Sequence, residues 1–260
     1  MALVDSHCHL DAPEFDADRE AVLARARAAG VAAQIVPAVA RAGWPKLAAL
    51  AEDAPDLHPA YGLHPCYLAE HRPEHLDRLA EWLATHRAVA VGECGLDFFL
   101  PGLDRNAQEA ILLGQLRLAR ELDLPVILHA RRAVDAVIAA IRRVGGLRGV
   151  VHSFSGSLEQ ARQLWRLGFL TGFGGPLTYP TARRVRALVA ATPAEFLLLE
   201  TDAPDQPPAA RRGERNEPAA LATILEEAAR LRGETPEALA ALTAANAGRL
   251  FGIAVPSPLH

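Results

Sequence analysis

The chain has 260 residues, with 27 basic and 31 acidic side chains, a formal charge of −4, half its residues apolar and 5% aromatic. That is an ordinary globular composition, and it excludes disordered, collagen-like and mucin-like chains. The charge balance excludes a strongly basic protein that wraps nucleic acid through many phosphate contacts, but not a local basic patch or a metal site that binds phosphate.

In chain order, short apolar runs alternate with helical patterns. The reading is strand Leu3–Asp5, helix Asp18–Ala29, strand Ala33–Val39, helix Trp44–Asp53, strand His58–Gly62, helix Glu74–His86, strand Ala88–Glu93 and helix Arg105–Leu122. It continues with strand Pro125–His129, helix Ala133–Val144, strand Gly149–His152, helix Leu158–Leu167, strand Phe169–Gly172, helix Thr181–Ala191 and strand Phe196–Asp202. Two helices follow, Glu217–Leu231 and Pro236 to about Arg249. Ile111, Leu112, Leu116, Ala119 and Leu122 share one helical face. Ser157 with Gln160 reads as a capping box, and Thr235 with Pro236 as a cap and first-turn proline. The strands are continuous apolar runs of the kind buried on both faces. Eight of them with crossover helices, at this length, predict an α/β fold of the (β/α)8 TIM-barrel type. With no linker in view, residues 1–260 read as a single domain. The stretch Pro204–Glu217 reads as a long loop after the last strand, and Gly172 to Gly175 as the turn of the seventh strand.

No apolar run approaches the roughly 18–20 residues that span a bilayer. The N-terminus reaches Asp5 and His7 without the basic stretch and apolar core of a signal peptide. Cys8, Cys66 and Cys94 cannot all pair and form no CxxC. The expectation is a cytoplasmic protein with no membrane association and no obligate protein partner. Lys46 is the only lysine among the basic residues.

Nearly every apolar run ends in a polar, metal-competent residue. The ends carry Asp5-Ser6-His7-Cys8-His9, Gly62-Leu63-His64-Pro65, Gly92-Glu93, His129, His152 and Thr201-Asp202. In a (β/α)8 barrel these are the C-terminal strand ends, where active sites are built. His7 and His9, two apart in an extended segment, face the same way. With Glu93, His129, His152 and Asp202 they form a nitrogen and oxygen set that suits Zn²⁺, Mn²⁺ or Fe²⁺, and Mg²⁺ less obviously. Six ligands exceed the needs of one tetrahedral ion; two ions bridged by Glu93 would use them. Singly, each has a bland reading: HxH is weak, His129 could bond a carbonyl, Glu93 an arginine, and Asp202 could cap a turn. Together, four histidines and two carboxylates would be costly to bury without a shared task. His71, His75 and His86 fall in or near a surface helix, His58 at the start of a strand, and His260 at the end of the chain. Cys8 and Cys94 read as buried packing residues, and Cys66 as a chance neighbour of the cup.

The motifs Asp5-Ser6-His7-Cys8-His9-Leu10-Asp11, Gly62-Leu63-His64-Pro65 and Gly92-Glu93-Cys94-Gly95-Leu96-Asp97 continue in order with Pro125-Val126-Ile127-Leu128-His129-Ala130-Arg131, His152-Ser153-Phe154-Ser155-Gly156 and Glu200-Thr201-Asp202-Ala203-Pro204. Fainter echoes are Arg105 with Gln108, Arg215-Asn216-Glu217-Pro218, and Asn246 before Arg249-Leu250-Phe251-Gly252. This ordered set, spread over nearly the whole chain, resembles the TatD family of metal-dependent hydrolases within the amidohydrolase-like barrels. The resemblance implies one or two divalent metals held by His7, His9, Glu93, His129, His152 and Asp202. It also implies cleavage of DNA phosphodiester bonds as a 3′–5′ exonuclease preferring single strands, usually with Mg²⁺ or Mn²⁺. Departures from the pattern are Phe98-Phe99 where tyrosine is expected, Ile111 where helices of this kind carry Phe, and Cys66 after His-Pro.

On this reading His7, His9 and Glu93 hold the more buried metal with Asp202 beside it, and Glu93, His129 and His152 hold the second. The cofactors are two divalent ions, Mg²⁺, Mn²⁺ or Zn²⁺. Asp202 orients a water and takes its proton, while His64 contacts a phosphate or protonates the leaving oxygen. Arg131 and Arg215 are candidate phosphate contacts; Arg211 and Arg212 read as solvent-exposed. The alternative is a metal-dependent amide or ester hydrolase acting on a small molecule or a charged tRNA, since the same activated water attacks a carbonyl. A non-catalytic scaffold would be marked by a missing ligand, and none is missing.

Overall fold

In the computed structural model, which describes residues 1–255, the short apolar runs become strands that pair only in parallel. His260 and the end of the expected domain 1–260 lie outside the described residues. The order is β1 (Leu3–Asp5), α1 (Arg19–Ala28), β2 (Val31–Pro37), α2 (Trp44–Asp53), β3 (Leu57–Ala60), α3 (His75–Thr85), β4 (Val91–Asp97) and α4 (Arg105–Glu121). Then come β5 (Val126–Arg131), α5 (Val134–Val144), β6 (Gly149–Val151), α6 (Leu158–Arg166), β7 (Phe169–Phe173), α7 (Arg183–Ala191), β8 (Leu197–Leu199), α8 (Leu221–Arg232) and α9 (Pro236–Phe251). The Ser157–Gln160 capping box and the Thr235 cap with Pro236 both form.

Ladders run β1-β2-β3 and β4-β5-β6-β7-β8. Hydrogen bonds close the two arcs into a ring. Gly92 N–H donates to Tyr61 O at 2.9 Å on one side, and Ser6 N–H to Leu199 O at 3.1 Å on the other. The first seam requires glycine: a Cβ on Gly62 would lie 2.6 Å from the Glu93 carbonyl oxygen. Inward residues Val4, Ile35, Ile127, Val150, Leu170 and Leu198 pack as one cluster with Ala247, Leu250 and Phe251 of α9. Asn246 donates to Ala194 O and Leu197 O, so α9 plugs the end of the barrel where the strands begin. The outward strand faces pack against the surrounding helices. Among the described residues no helix is long and apolar enough to cross a membrane.

Only β1 keeps its expected bounds; the other strands shift by one to four residues at an end. β4 starts and ends later, and β5 runs on to Arg131, because Asp97 pairs in register with Arg131 beyond the last apolar residue. β8 stops at Leu199: Glu200 N–H still bonds Phe173 O, but Thr201-Asp202 turns out of the ladder to bond Asp5 and His7. Gly172 is still strand, and the turn begins after Phe173.

His58 sits on β3 with only 7% exposure, and its Nδ1 accepts from Arg87 Nη2 at 2.7 Å. Burial, and then the Arg87 charge, pull its pKa down to about 4. The unfolded chain therefore takes this proton first as pH falls. Stability tied to neutral His58 is present at pH 7 and is lost between about 6.5 and 4. The guanidinium chloride midpoint of His58→Gln should fall less over that range than the wild-type midpoint. Parallel curves would remove His58 from the acid response.

Candidate metal centre

The strand ends bring all six expected ligands to one point. Glu93, on β4, lies between two groups of imidazoles. Its Oε2 is 3.2 Å from His7 Nε2 and 3.4 Å from His9 Nε2, and both of those nitrogens are 3.6 Å from Asp202 Oδ1. Its Oε1 is 2.8 Å from His152 Nε2, 3.2 Å from His129 Nδ1 and 3.0 Å from His64 Nε2. The two oxygens of one carboxylate thus serve two donor sets, His7/His9/Asp202 and His129/His152. Cys8 and Cys94 are buried and face elsewhere, with Cys94 Sγ against Ile127 O.

Supporting bonds decide which ring nitrogen faces inward. His9 Nδ1 donates to Pro37 O at 3.1 Å, and His129 Nε2 to Asp97 Oδ2 at 2.9 Å. Each bond leaves the other nitrogen as a lone pair aimed at carboxylate oxygens. Glu93 Oε1 has no hydrogen bond of acceptable geometry, although three imidazole nitrogens surround it. Converging lone pairs and a buried carboxylate need a cation, so the donor set fits divalent metal. His64 differs: its Nδ1 accepts from Cys66 N–H at 3.1 Å, which puts the proton on Nε2. His64 therefore enters the centre as a donor rather than as a lone pair.

The cluster's charges answer to burial first and to one another second. Burial opposes the Glu93 anion, yet the surrounding His64, His152 and His7 hold it well below the carboxylate range. Burial likewise opposes charge on His9, but Glu93 and Asp202 lift it to about 9; His129 and His152 also rise. His7, fully buried beside His152, is pushed well down. Burial raises Asp202 to about 6.

Several supporting residues carried too faint a sequence signal to be singled out. Asp97 closed a recognised motif but had no assigned role. Gln108 and Gln115, two turns apart on α4, each bond both backbone groups of one residue: Gln108 those of Asp97, and Gln115 those of Leu63. Through these amides α4 fixes the segments that carry Asp97 and His64. His71, expected near a surface helix, is buried and bonds His64 O at 2.8 Å. Asp5 accepts from Thr201 N–H and Oγ1, tying β1 to the Asp202 turn. Only the folded topology puts these pairs in contact. Asp97→Asn keeps the size but removes the acceptor that sets the His129 tautomer. It should cost roughly 10–100-fold in activity or metal affinity; unchanged values for both would dismiss Asp97 as a positioning group.

The centre lies in a cup of about 1130 Å³. Among the described residues its wall carries the carboxylates of Asp11, Glu14, Glu70 and Asp205 as well as Glu93, Asp97 and Asp202, but of cations only Lys46 and Arg131. Such a wall repels anions unless cations sit among the ligands. Arg131 is where expected, and Cys66 also lines the cup, its Sγ 3.5 Å from Asp97 Oδ2. The structure does not bring Arg215 to the cup. Its guanidinium is bidentate to Asp18 at 2.7 and 2.8 Å and lies over Phe15, because the loop after β8 folds back on the start of α1. Arg211 is likewise held by Glu214 and Glu217. Asp202 Oδ2 accepts from Gln206 Nε2, a contact not read from the sequence.

The family described as TatD related DNase matches residues 4–252. A metal-dependent hydrolase of Escherichia coli K12, YjjV, is 42% identical over 253 residues, covering 96% of this chain and 98% of its own. A protein of Cronobacter sakazakii named 3′-5′ ssDNA/RNA exonuclease TatD is 38% identical over 258 residues, covering 96% and 97%. The crystal structure of the E. coli YjjV protein superposes with a TM-score of 0.92 at 40% identity, over 97% of this chain and 98% of that one.

Proposed function

The chain belongs to the TatD family of metal-dependent hydrolases, and from that premise we propose that it is a 3′–5′ exonuclease for single-stranded nucleic acid, cleaving DNA phosphodiester bonds with two divalent ions. The observation that carries the reading is the convergence of inward lone pairs on both oxygens of Glu93, at the bottom of a cup otherwise too acidic for an anionic substrate. A relative that carries the exonuclease name supports the substrate class.

In this reading His7, His9, Glu93 and Asp202 hold one ion, and Glu93, His129 and His152 the other. Such a pair brings the ionisation of water close to neutral pH and neutralises charge on phosphoryl oxygens. Asp202 stands at the cup side of the centre, its Oδ2 steadied by Gln206, and takes the proton of the attacking water. His64, neutral with its proton on Nε2, would donate a hydrogen bond to a phosphoryl oxygen as charge develops there. Arg131 holds a phosphate oxygen at the rim. His64→Ala should lower kcat by roughly 10²-fold or more while keeping both metals. Loss of a metal in that variant would make His64 a ligand instead.

The test strips the protein with chelator, reloads it with Mg²⁺, Mn²⁺ or Zn²⁺, and supplies single-stranded DNA labelled at either end. A metal-dependent ladder receding from the 3′ end is the expected result. No cleavage by protein of confirmed metal content would overturn the nuclease reading in favour of amide or ester hydrolysis.

A further inference from the structure

Ile127, His129 and Arg131 occupy alternate positions of β5 and so share one face. Ile127 belongs to the barrel core, His129 to the metal centre, and Arg131 to the cup rim. At about 3.3 Å per residue, Arg131 stands about 6.6 Å beyond His129 along the strand, a separation comparable with that of neighbouring phosphates on a single strand. Its guanidinium carbon lies 3.7 Å from the centroid of the Phe99 ring. The next residue, Arg132, brings its own guanidinium to 4.7 Å from the same ring. Among the described residues, neither arginine has a carboxylate within 4 Å. The other cation of the cup wall, Lys46, is tied to Asp16 at 2.7 Å.

Two further observations set this corner apart. Phe99 is 42% exposed, yet its turn is fixed: Asp97 Oδ1 accepts from Phe99 N–H at 2.8 Å and from Leu100 N–H at 2.9 Å. The other oxygen of that carboxylate orients His129, so one residue sets both the ring and the ligand. Arg132 has φ +54°, a backbone region that disfavours a side chain, although its side chain is exposed and fills no core. Glycine would sit there with less strain, and the guanidinium is what this side chain adds at the lip. A guanidinium stacked on a ring still has its N–H edge free to fork onto a phosphate.

We propose that Phe99, Arg131 and Arg132 form a second phosphate subsite on the lip of the cup, taking the internucleotide phosphate one linkage away from the one being cut. The inference rests on the nuclease reading and deepens it: the enzyme recognises at least two consecutive linkages, and through their charge rather than their bases.

The test uses metal-loaded enzyme and oligodeoxynucleotides in which only the linkage next to the scissile one is an uncharged methylphosphonate. Wild-type KM should rise roughly 10-fold on the neutral linkage, as for loss of charge-assisted hydrogen bonds, with kcat little changed. Arg132→Gly and Phe99→Ala should raise KM on the ordinary strand by a similar factor and respond much less to the neutral linkage. On bis(4-nitrophenyl) phosphate, which has one diester and no neighbour, the variants should lose far less than on the strand. Arg132→Gly should melt no lower than wild type, which keeps the result readable as binding. Equal sensitivity of wild type and variants to the neutral linkage, or equal losses on both substrates, would overturn the subsite alone. Wild-type enzyme that hydrolyses the small diester but no oligonucleotide overturns the nuclease reading, and the subsite with it.

Discussion

Replacing Glu93 with alanine is expected to lower kcat by more than roughly 10³-fold. An outer carboxylate that only orients a ligand is worth roughly 10–100-fold. Glu93 differs because each of its oxygens faces a separate group of imidazoles, at 2.8–3.4 Å. On the proposed two-ion reading, removing it takes a shared ligand from both ions at once. Asp97 and Asp202 remain beside these rings, so the barrel should keep its fold without it. Metal analysis, circular dichroism and turnover on one preparation check all three points. Thermal melting adds a fourth: metal at 1,000 times its dissociation constant stabilises by about 4 kcal/mol, or roughly 8–16 °C for a chain of this size. That rise should largely vanish in the variant. Turnover within 10-fold of wild type would end the bridging proposal.

The second large effect falls on Asp202. Asp202→Asn keeps a side-chain oxygen beside His7 and His9 but takes away the capacity to accept a proton. A positioned general base contributes roughly 10²–10⁴-fold, so kcat should fall by that factor with KM nearly unchanged. Asp202 holds φ +55° and its Oδ2 accepts from Gln206, two constraints that keep the carboxyl edge turned to the cup. Single-turnover rates at measured metal occupancy decide the role. If the rate falls only in proportion to metal lost, Asp202 is a ligand and nothing more.

Much of this was legible along the chain because it rests on local periodicity. Apolar runs such as Val126-Ile127-Leu128 state that a strand is buried on both faces, and the helical spacing of α4 states which side it covers. A polar residue closing such a run, as His129 and His152 do, marks the active end of a barrel strand. The boundary of β4 was not legible in the same way. Glu93 interrupts the apolar pattern, and only pairing with β5 carries the strand on to Asp97.

By itself, then, the sequence determined the eight-fold alternation, the six candidate ligands and the family likeness, because each is written in residue type and order. Tertiary structure alone decided how those ligands divide between the two oxygens of Glu93, because that depends on which strands become neighbours. It decided the ring tautomers through Pro37 O and Asp97, residues far in sequence from the histidines they orient. It also decided which arginines can meet a substrate. Arg131 and Arg215 look alike as letters, but the loop after β8 gives Arg215 to Asp18, while the register of β5 leaves Arg131 on the cup rim. Whether a charge is free depends on the partner that folding brings beside it.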